Sequence, residues 1–317
     1  MSRSGHCPVA AVLHVAAVNA RTAIPRGVGT MRAALARWAL RSPPPGSRYV
    51  MAIEYAPTAR PGPRWGHGRP SHRRLEEILE RGDPGYEQVL EGFEAYREDL
   101  QAIPLRSEDP LLPHWQNPFM FGLDGVSLYC FTRERRPRRY LEVGSGNSTL
   151  FVHRARRDGE LATEIVSIDP FPRREIDEVC DRVVREPLET VGLDIFSGVG
   201  AGDIVFMDGT HRAFTNSDAV VFFMDVLPEL PPGVLVGIHD IHLPDDYRPE
   251  HTDRLYSEQY LLGCLLLGEP AWLDVVLPCW YVSGRPGTAE RAAALTPPEH
   301  RGRGVIFWLQ TQPRSSH

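Results

Sequence analysis

The distribution of apolar and polar positions divides the chain into three parts. Up to about residue 60 the apolar stretches are short and interrupted by Pro and Arg, which predicts a poorly ordered tail over residues 1–60. Apolar positions recur at helical spacing over 71–100, and an aromatic, proline-punctuated segment follows at 113–119. We therefore predict a helical N-terminal cap over 61–135, in which the aromatic segment is either a lid over a ligand or a plug beneath the helices.

From residue 136 onward, short apolar runs of strand length alternate with stretches of helical periodicity. The predicted strands are Arg139–Val143, Glu164–Ile168, Arg182–Val184, 203–207, 233–238, 272–277 and 304–309. The predicted helices of this region are 148–157, 174–180, 217–230 and 253–267. Such alternation predicts βαβ units, in which a parallel sheet carries helices on both faces, and we assign residues 136–317 to one α/β domain.

The strand predicted at Arg139–Val143 ends in a glycine turn. Gly144 and Gly146 allow a tight turn with no side chain in the way, and Asn147 and Ser148 are good caps for the helix that follows. A strand, a glycine turn and a helix start together favour a site for a nucleotide-like ligand, because backbone N–H groups approach the ligand and the helix N-terminus attracts anionic groups.

Two acids strengthen this interpretation. Glu142 lies inside the strand, where a carboxylate is costly unless it has a cationic or hydrogen-bonding partner. The second predicted strand is followed by Asp169, and 169 − 146 = 23 residues after Gly146 is about the spacing at which an acid meets a ribose hydroxyl pair. A dinucleotide fold would prefer Gly or Ala where Thr149 stands, which counts against NAD.

The fourth and fifth predicted strands also lead into polar side chains. Asp208 follows the fourth strand, with His211 three residues later, and the fifth leads into His239, Asp240 and His242. Ligands bind beyond the carboxyl ends of parallel strands, so we expect these residues to share one crevice with the glycine turn. Neighbouring carboxylates raise one another's pKa, and a divalent metal held by Asp208, His239 and Asp240 would balance them. A His ligand shifts the expected metal from Mg²⁺ toward Mn²⁺, Fe or Zn²⁺.

The Glu142-x-Gly144-x-Gly146 pattern, with an acid after the second strand, resembles class I S-adenosylmethionine-dependent methyltransferases. The resemblance implies a Rossmann-like seven-stranded sheet, mostly parallel, in which 272–277 and 304–309 form an antiparallel last strand pair. It also implies that Glu142 and the turn face the methionine end of the cofactor, and that Asp169 holds the ribose. The cofactor-binding residues predicted on this basis are Glu142, Gly144, Ser145, Gly146, Asn147, Ser148, Asp169 and Asp208.

The acids after strands four and five are similar to those of the metal-dependent macrocin and mycinamicin O-methyltransferases, to which cephalosporin hydroxylase is related. This resemblance implies that Asp208 and Asp240 hold a metal and that His211 is the general base. His239 stands where that group has the first acid of a pair, which is a departure from its pattern.

These features predict an enzyme that methylates a small hydroxylated metabolite of secondary metabolism, using S-adenosylmethionine and a divalent metal (Mg, Mn, Fe or Zn). An Fe-dependent oxygenase on the same fold is the first alternative, and a non-catalytic binding protein is the second. Acceptor-binding residues are predicted in the loops beyond the fifth strand. The candidates are His242, Tyr256, Gln259 and Tyr260.

Composition narrows the choice of partners. A net charge of −6 with interspersed signs offers no basic face, so neither DNA nor RNA is expected as a partner. Five cysteines without Cys-x-x-Cys spacing predict reduced thiols in a cytoplasmic protein. The apolar stretch at 8–18 is shorter than the roughly 20 residues of a membrane span, and a poor signal peptide is its alternative interpretation. The expected partner is a small-molecule acceptor, with a homo-oligomer left open.

Overall fold

A seven-stranded sheet forms the centre of the protein in a computed structural model that describes residues 62–300 and 302–314. Its strands are β1 (Arg139–Val143), β2 (Glu164–Ile168), β3 (Arg182–Val184), β4 (Ile204–Met207), β5 (Leu235–Ile238), β6 (Leu273–Pro278) and β7 (Phe307–Thr311). They lie in the order β3-β2-β1-β4-β5-β7-β6. Strands β1 to β5 pair in parallel, and β7 runs antiparallel to both of its neighbours. The predicted Rossmann-like, mostly parallel sheet with an antiparallel end is confirmed.

The first three strands have the predicted bounds, and the later ones are shifted along the chain. The shift is largest in β7, which begins at Phe307. The backbone N–H groups of Val305 and Ile306 both donate to Oδ1 of Asp124, at 2.6 and 2.9 Å. These two residues bind a buried carboxylate, and the strand ladder begins only after them.

Helices cover both faces of the sheet. In the described ranges the α-helices are α1 (Arg73–Glu80), α2 (Asp83–Phe93), α3 (Arg97–Gln101), α4 (Leu123–Arg135), α5 (Asn147–Asp158), α6 (Asp218–Val221), α7 (Glu258–Leu267), α8 (Cys279–Val282) and α9 (Thr288–Ala294). Helix α6 continues as a π turn at Phe222–Val226, which extends it into the predicted helix 217–230. Helix α7 begins later than predicted because Leu255 has a left-handed backbone with φ of 56°.

The helix predicted at 174–180 is wrong. Only a short 3₁₀ turn, Asp177–Val179, forms there. A helix this short gains little against its nucleation cost. The Arg174 side chain is instead drawn to the carbonyl of Pro110, at 3.0 Å, and to Oδ1 of Asn147, at 2.7 Å.

The N-terminal helices pack on the same body as the sheet. Helix α1 packs against α7, α2 packs against β6 and α9, and α4 lies on α5. Phe131 of α4 joins the sheet core, since its ring lies 5.0 Å from that of Trp308, which in turn lies 5.9 Å from Phe206. The helices expected of a cap therefore form, while the domain boundary near residue 135 stays a prediction.

The predicted tail over 1–60, with the apolar stretch at 8–18, lies outside the described residues. Within the described ranges, no helix is both long enough and apolar enough to cross a bilayer. Four cysteines of these ranges, Cys130, Cys180, Cys264 and Cys279, are free.

Candidate functional site

A cavity of about 460 Å³ lies at the carboxyl ends of β1, β4 and β5. Its walls come from the aromatic segment before α4, the glycine turn after β1, the residues after β4 and β5, and the loop before α7. Of the predicted cofactor residues, Ser145, Gly146, Asn147, Ser148 and Asp208 line it. Three strand ends that are far apart in the sequence therefore share one cavity, whereas Gly144 and Asp169, which were expected in the same crevice, do not line it.

The glycine turn is fixed by its approach to the neighbouring strand end. Gly144 has φ of +79°, and a Cβ there would lie 1.9 Å from the carbonyl oxygen of Asp208. Only glycine fits that position. A Cβ on Gly146, by contrast, would have no atom within 4 Å, and this residue faces the cavity. The turn thus packs on β4 at one glycine and leaves room for a ligand at the other.

Two of the three acids in the predicted cofactor set, Glu142 and Asp169, support the turn from behind. Glu142 is fully buried and accepts hydrogen bonds from the hydroxyls of Ser148 and Thr149, so it ties the start of α5 to β1. Burial raises its pKa to about 8, although the two hydroxyls oppose this. Asp169 accepts the backbone N–H of Ser145 at 2.9 Å. Neither carboxylate is part of the cavity wall, so their predicted contacts with the cofactor stay predictions.

Two imidazoles and two carboxylates form a compact cluster at the cavity wall. Nδ1 of His239 lies 3.1 Å from Oδ1 of Asp208. Nε2 of His211 lies 3.3 Å from Oδ2 of Asp240 and 3.4 Å from Oδ1 of Asp208. His211 and Asp240 both have left-handed backbones, with φ of 62° and 57°. Such strained positions at non-glycine residues recur at functional sites.

The pKa values of the cluster are shifted because its imidazoles and carboxylates lie side by side. Burial alone would lower the pKa of His211, but Glu258, Asp240 and Asp208 outweigh it and raise that pKa to about 10. The pKa of His239 is raised well above its ordinary value, because Asp208 and Asp240 overcome the effect of burial. Burial would raise the pKa of both carboxylates, and the imidazolium groups lower it instead. The carboxylates around the two imidazoles thus favour the charged form of both rings.

The predicted metal ligands do not fit a metal ion in this arrangement. Among the residues that the structure describes, no group of three or more His, Cys, Asp or Glu side chains could hold one. His239 Nδ1 is engaged with Asp208, and the imidazolium groups already supply the positive charge for which a metal was invoked. The metal set Asp208, His239 and Asp240 is therefore not confirmed.

Of the predicted acceptor-binding residues, only Tyr256 lines the cavity. Its ring lies 4.6 Å from that of His211. His242 and Gln259 are fully buried behind the wall, where the backbone N–H of His242 donates to Oε1 of Gln259 at 3.0 Å. Tyr260 instead donates to Asp246. For these three the structure favours a supporting role.

Glu258 and Asp124 are site residues that sequence reasoning missed. Glu258 is fully buried and its Oε1 contacts Nδ1 of His211. Oδ2 of Asp124 lies 3.8 Å from Nε2 of His239. One signal was available, because Glu258 is the sole acid in α7, whose sequence EQYLLGCLLL is otherwise largely apolar. An isolated acid in such a helix needs a partner when buried.

The aromatic segment at 113–119 is divided between the core and the cavity, and its predicted role as a lid stays a prediction. Trp115 is fully buried, and its ring packs 5.4 Å from that of Phe151, as expected of a plug. The neighbouring His114, Asn117 and Phe119 line the cavity, as expected of a segment that borders a ligand.

Residues 141–241 match a family profile described as a methyltransferase domain. The match runs from β1 through the end of β5 and includes the glycine turn and the cluster. It confirms the predicted resemblance to class I S-adenosylmethionine-dependent methyltransferases, and it supports methyltransferase function. A comparison with curated proteins finds no match.

Solved structures of methyltransferases are similar at low identity. The SAH-bound methyltransferase from Podospora anserina is 16% identical, with a TM-score of 0.42, over 69% of this chain and 95% of its own. An O-methyltransferase from Bacillus cereus in complex with SAH is 14% identical, with a TM-score of 0.33, over 76% of this chain and 96% of its own. A mycinamycin-pathway methyltransferase in complex with Mg, SAH and mycinamycin VI is 16% identical, with a TM-score of 0.33, over 57% of this chain and 47% of its own.

Proposed function

We propose that the protein is an S-adenosylmethionine-dependent methyltransferase that methylates a hydroxyl group of a small metabolite, with His211 as the general base. The observation that best supports this proposal is the position of the His211 imidazole. Nδ1 is held by buried Glu258, and Nε2 lies beside Asp208 and Asp240 at the wall of the cavity. A base whose far nitrogen is fixed by a carboxylate presents its other nitrogen in one orientation.

The glycine turn and the start of α5 are suited to holding the cofactor. Ser145 and Gly146 line the cavity, and a Cβ on Gly146 would have no atom within 4 Å. The N-terminus of α5, a helix of 12 residues, favours the carboxylate of the methionine moiety. When bound, the cofactor supplies an electrophilic methyl group on a cationic sulfur. The chain's own residues align the acceptor oxygen and remove its proton.

The cavity supports a small acceptor. Its volume of about 460 Å³ lies in the range typical of small-molecule sites. Hydroxyl acceptors need a base near the reacting oxygen, which the His211 imidazole would provide. An origin in secondary metabolism rests on the sequence resemblance and is part of the same proposal.

We expect the reaction to accelerate with rising pH, because His211 accepts a proton only when it is neutral. Its pKa, raised to about 10, leaves the neutral form a small fraction at neutral pH. The value of kcat/KM should therefore rise by about tenfold per pH unit between roughly pH 7 and 9, and level off near the pKa of the free enzyme. Initial rates of SAH formation across this range measure the effect. A flat profile would contradict the role of His211 as base.

Calorimetry with S-adenosylmethionine, with and without a chelator, tests the proposal before any acceptor is known. We expect one binding site and an affinity that changes by less than about twofold with chelator, because the ion-paired cluster supplies its own positive charge. SAH release over a panel of hydroxylated compounds, again with and without chelator, then tests turnover. Loss of turnover with chelator, restored by Mg²⁺ or Mn²⁺, would show that Asp208 and Asp240 rearrange around a metal.

The two alternatives are less well supported. An Fe-dependent oxygenase would need His239, Asp240 and Asp208 or His211 as ligands, yet these side chains are paired with one another. The family match is also to a methyltransferase domain. A non-catalytic binding protein would bind the cofactor without releasing SAH for any acceptor.

A further inference from the structure

Basic side chains line the cavity on the loop between β5 and α7. Arg248, His251 and Arg254 lie on or next to the 3₁₀ turn Pro249–Arg254, and all three face the cavity that His211 also lines. The loop carries no role in methyl transfer as proposed above. Its charge therefore calls for a separate explanation.

The two guanidinium groups of this loop are held by neutral partners. Nε of Arg248 donates to Nε2 of His242 at 3.2 Å, and its guanidinium lies 5.3 Å from the ring centre of Trp280. Nη1 of Arg254 donates to the hydroxyl of Tyr256 at 3.2 Å. Among the side chains that the structure describes, neither forms an ion pair with a carboxylate. Both positive charges are positioned but not neutralised.

Buried side chains behind Arg248 hold its guanidinium in this position. The His242 imidazole is buried, and its Nε2 accepts the hydrogen bond from Nε of Arg248, so it holds the guanidinium in place. Gln259 in turn accepts the backbone N–H of His242 at 3.0 Å. The buried pair that was predicted to bind the acceptor thus orients the arginine instead.

The acids of the cavity wall do not offset these charges. Asp208 and Asp240 already face His211 and His239 within the cluster. The wall also includes Arg173 and Arg174, so its lining has four arginines and two aspartates although the whole chain has a net charge of −6. Arg174 is bound to Asn147 at the start of α5, on the side suited to the cofactor. The loop arginines remain for the acceptor.

We propose that the acceptor carries an oxyanion, a carboxylate or a phosphate, which Arg248 and Arg254 bind while its hydroxyl group faces His211. Guanidinium groups bind both anions through directed, charge-assisted hydrogen bonds. Tyr256 connects the two functions, since its ring lies 5.7 Å from the Arg254 guanidinium and 4.6 Å from the His211 ring. The oxyanion of the acceptor, bound at the loop, would also offset the positive charge of the sulfonium methyl donor. The inference rests on the proposed function and names the substrate class for that site.

The experiment is calorimetric titration of the full-length protein, saturated with SAH, using glycolate as a hydroxycarboxylate probe and inorganic phosphate as a phosphate probe. SAH occupies the cofactor site, so its own carboxylate does not compete. We expect one probe to bind, and its affinity to fall by about tenfold or more in each of Arg248→Gln and Arg254→Gln, because each removes a charge-assisted contact. Arg157→Gln, which removes an exposed guanidinium on α5 outside the cavity wall, is the matched control and should bind as the wild type does.

Each outcome separates the two proposals. Glycolate binding identifies a carboxylate acceptor, and phosphate binding identifies a phosphorylated one. If SAH binds but neither probe does, or if both glutamine variants bind the probe as tightly as the wild type, the oxyanion inference is overturned while the methyltransferase proposal stands. If the wild type does not bind SAH, the proposed function itself fails. SAH affinity unchanged in both variants shows that they have folded and that their loss is confined to the acceptor side.

Discussion

Replacing His211 by asparagine is expected to lower kcat by about 10²- to 10⁴-fold while leaving the affinity for S-adenosylmethionine nearly unchanged. The imidazole is the group at the cavity wall that is proposed to take the hydroxyl proton, and Nδ1 bonds to Glu258 rather than to the glycine turn. Asparagine is similar in size to histidine, and its side-chain amide cannot accept the hydroxyl proton. Single-turnover rates and calorimetry with the cofactor measure the two effects separately.

Glu258→Gln provides the matched comparison, because it keeps the imidazole and removes only its carboxylate partner. Glu258 is the foremost among the carboxylates that raise the pKa of His211, so its loss should lower that pKa and move the rise of the pH–rate profile to lower pH. A purely structural role for the pair would reduce activity without moving the profile. Equal loss of turnover and cofactor affinity in the asparagine variant would argue against His211 as the base.

The sheet and the location of the cavity could be predicted because both depend on local patterns. β1 and β2 are buried almost throughout, and they are followed directly by Gly144 and Asp169. In a parallel sheet the carboxyl ends meet at one edge, so Asp208, His211 and Asp240 had to lie near the glycine turn. The sequence therefore located the cluster even though it could not give the pairing within it.

Which side chains pair within the cluster depends on burial and on partners from elements that are distant in the sequence. The sequence favours a metal because it shows two neighbouring carboxylates but not the protonation state of the imidazoles beside them. The structure places His239 3.1 Å from Asp208, and Glu258 against His211 from α7, so the charges compensate each other. Helical periodicity likewise does not predict which polar residues are buried. Gln259 is buried, while Tyr256, three residues earlier, lines the cavity.

Alanine substitutions at the two glycines of the turn are expected to have opposite consequences. Gly144→Ala should destabilise the fold strongly, by about 3 kcal/mol or more, because its Cβ would meet the carbonyl of Asp208 and its φ of +79° disfavours any side chain. Gly146→Ala should leave the thermal midpoint almost unchanged, since no atom lies within 4 Å of the added Cβ. That methyl group enters the cavity, so S-adenosylmethionine affinity should fall by about tenfold or more through steric exclusion.

Thermal unfolding and calorimetry on both variants separate folding from binding. Gly144 connects β1 to β4 through close backbone packing, and the loss of this packing acts on the whole sheet. Gly146 acts only on what occupies the cavity. If Gly146→Ala bound the cofactor as tightly as the wild type, the ligand would have to lie elsewhere along the wall, and the glycine turn would have only the structural role that Gly144 already explains.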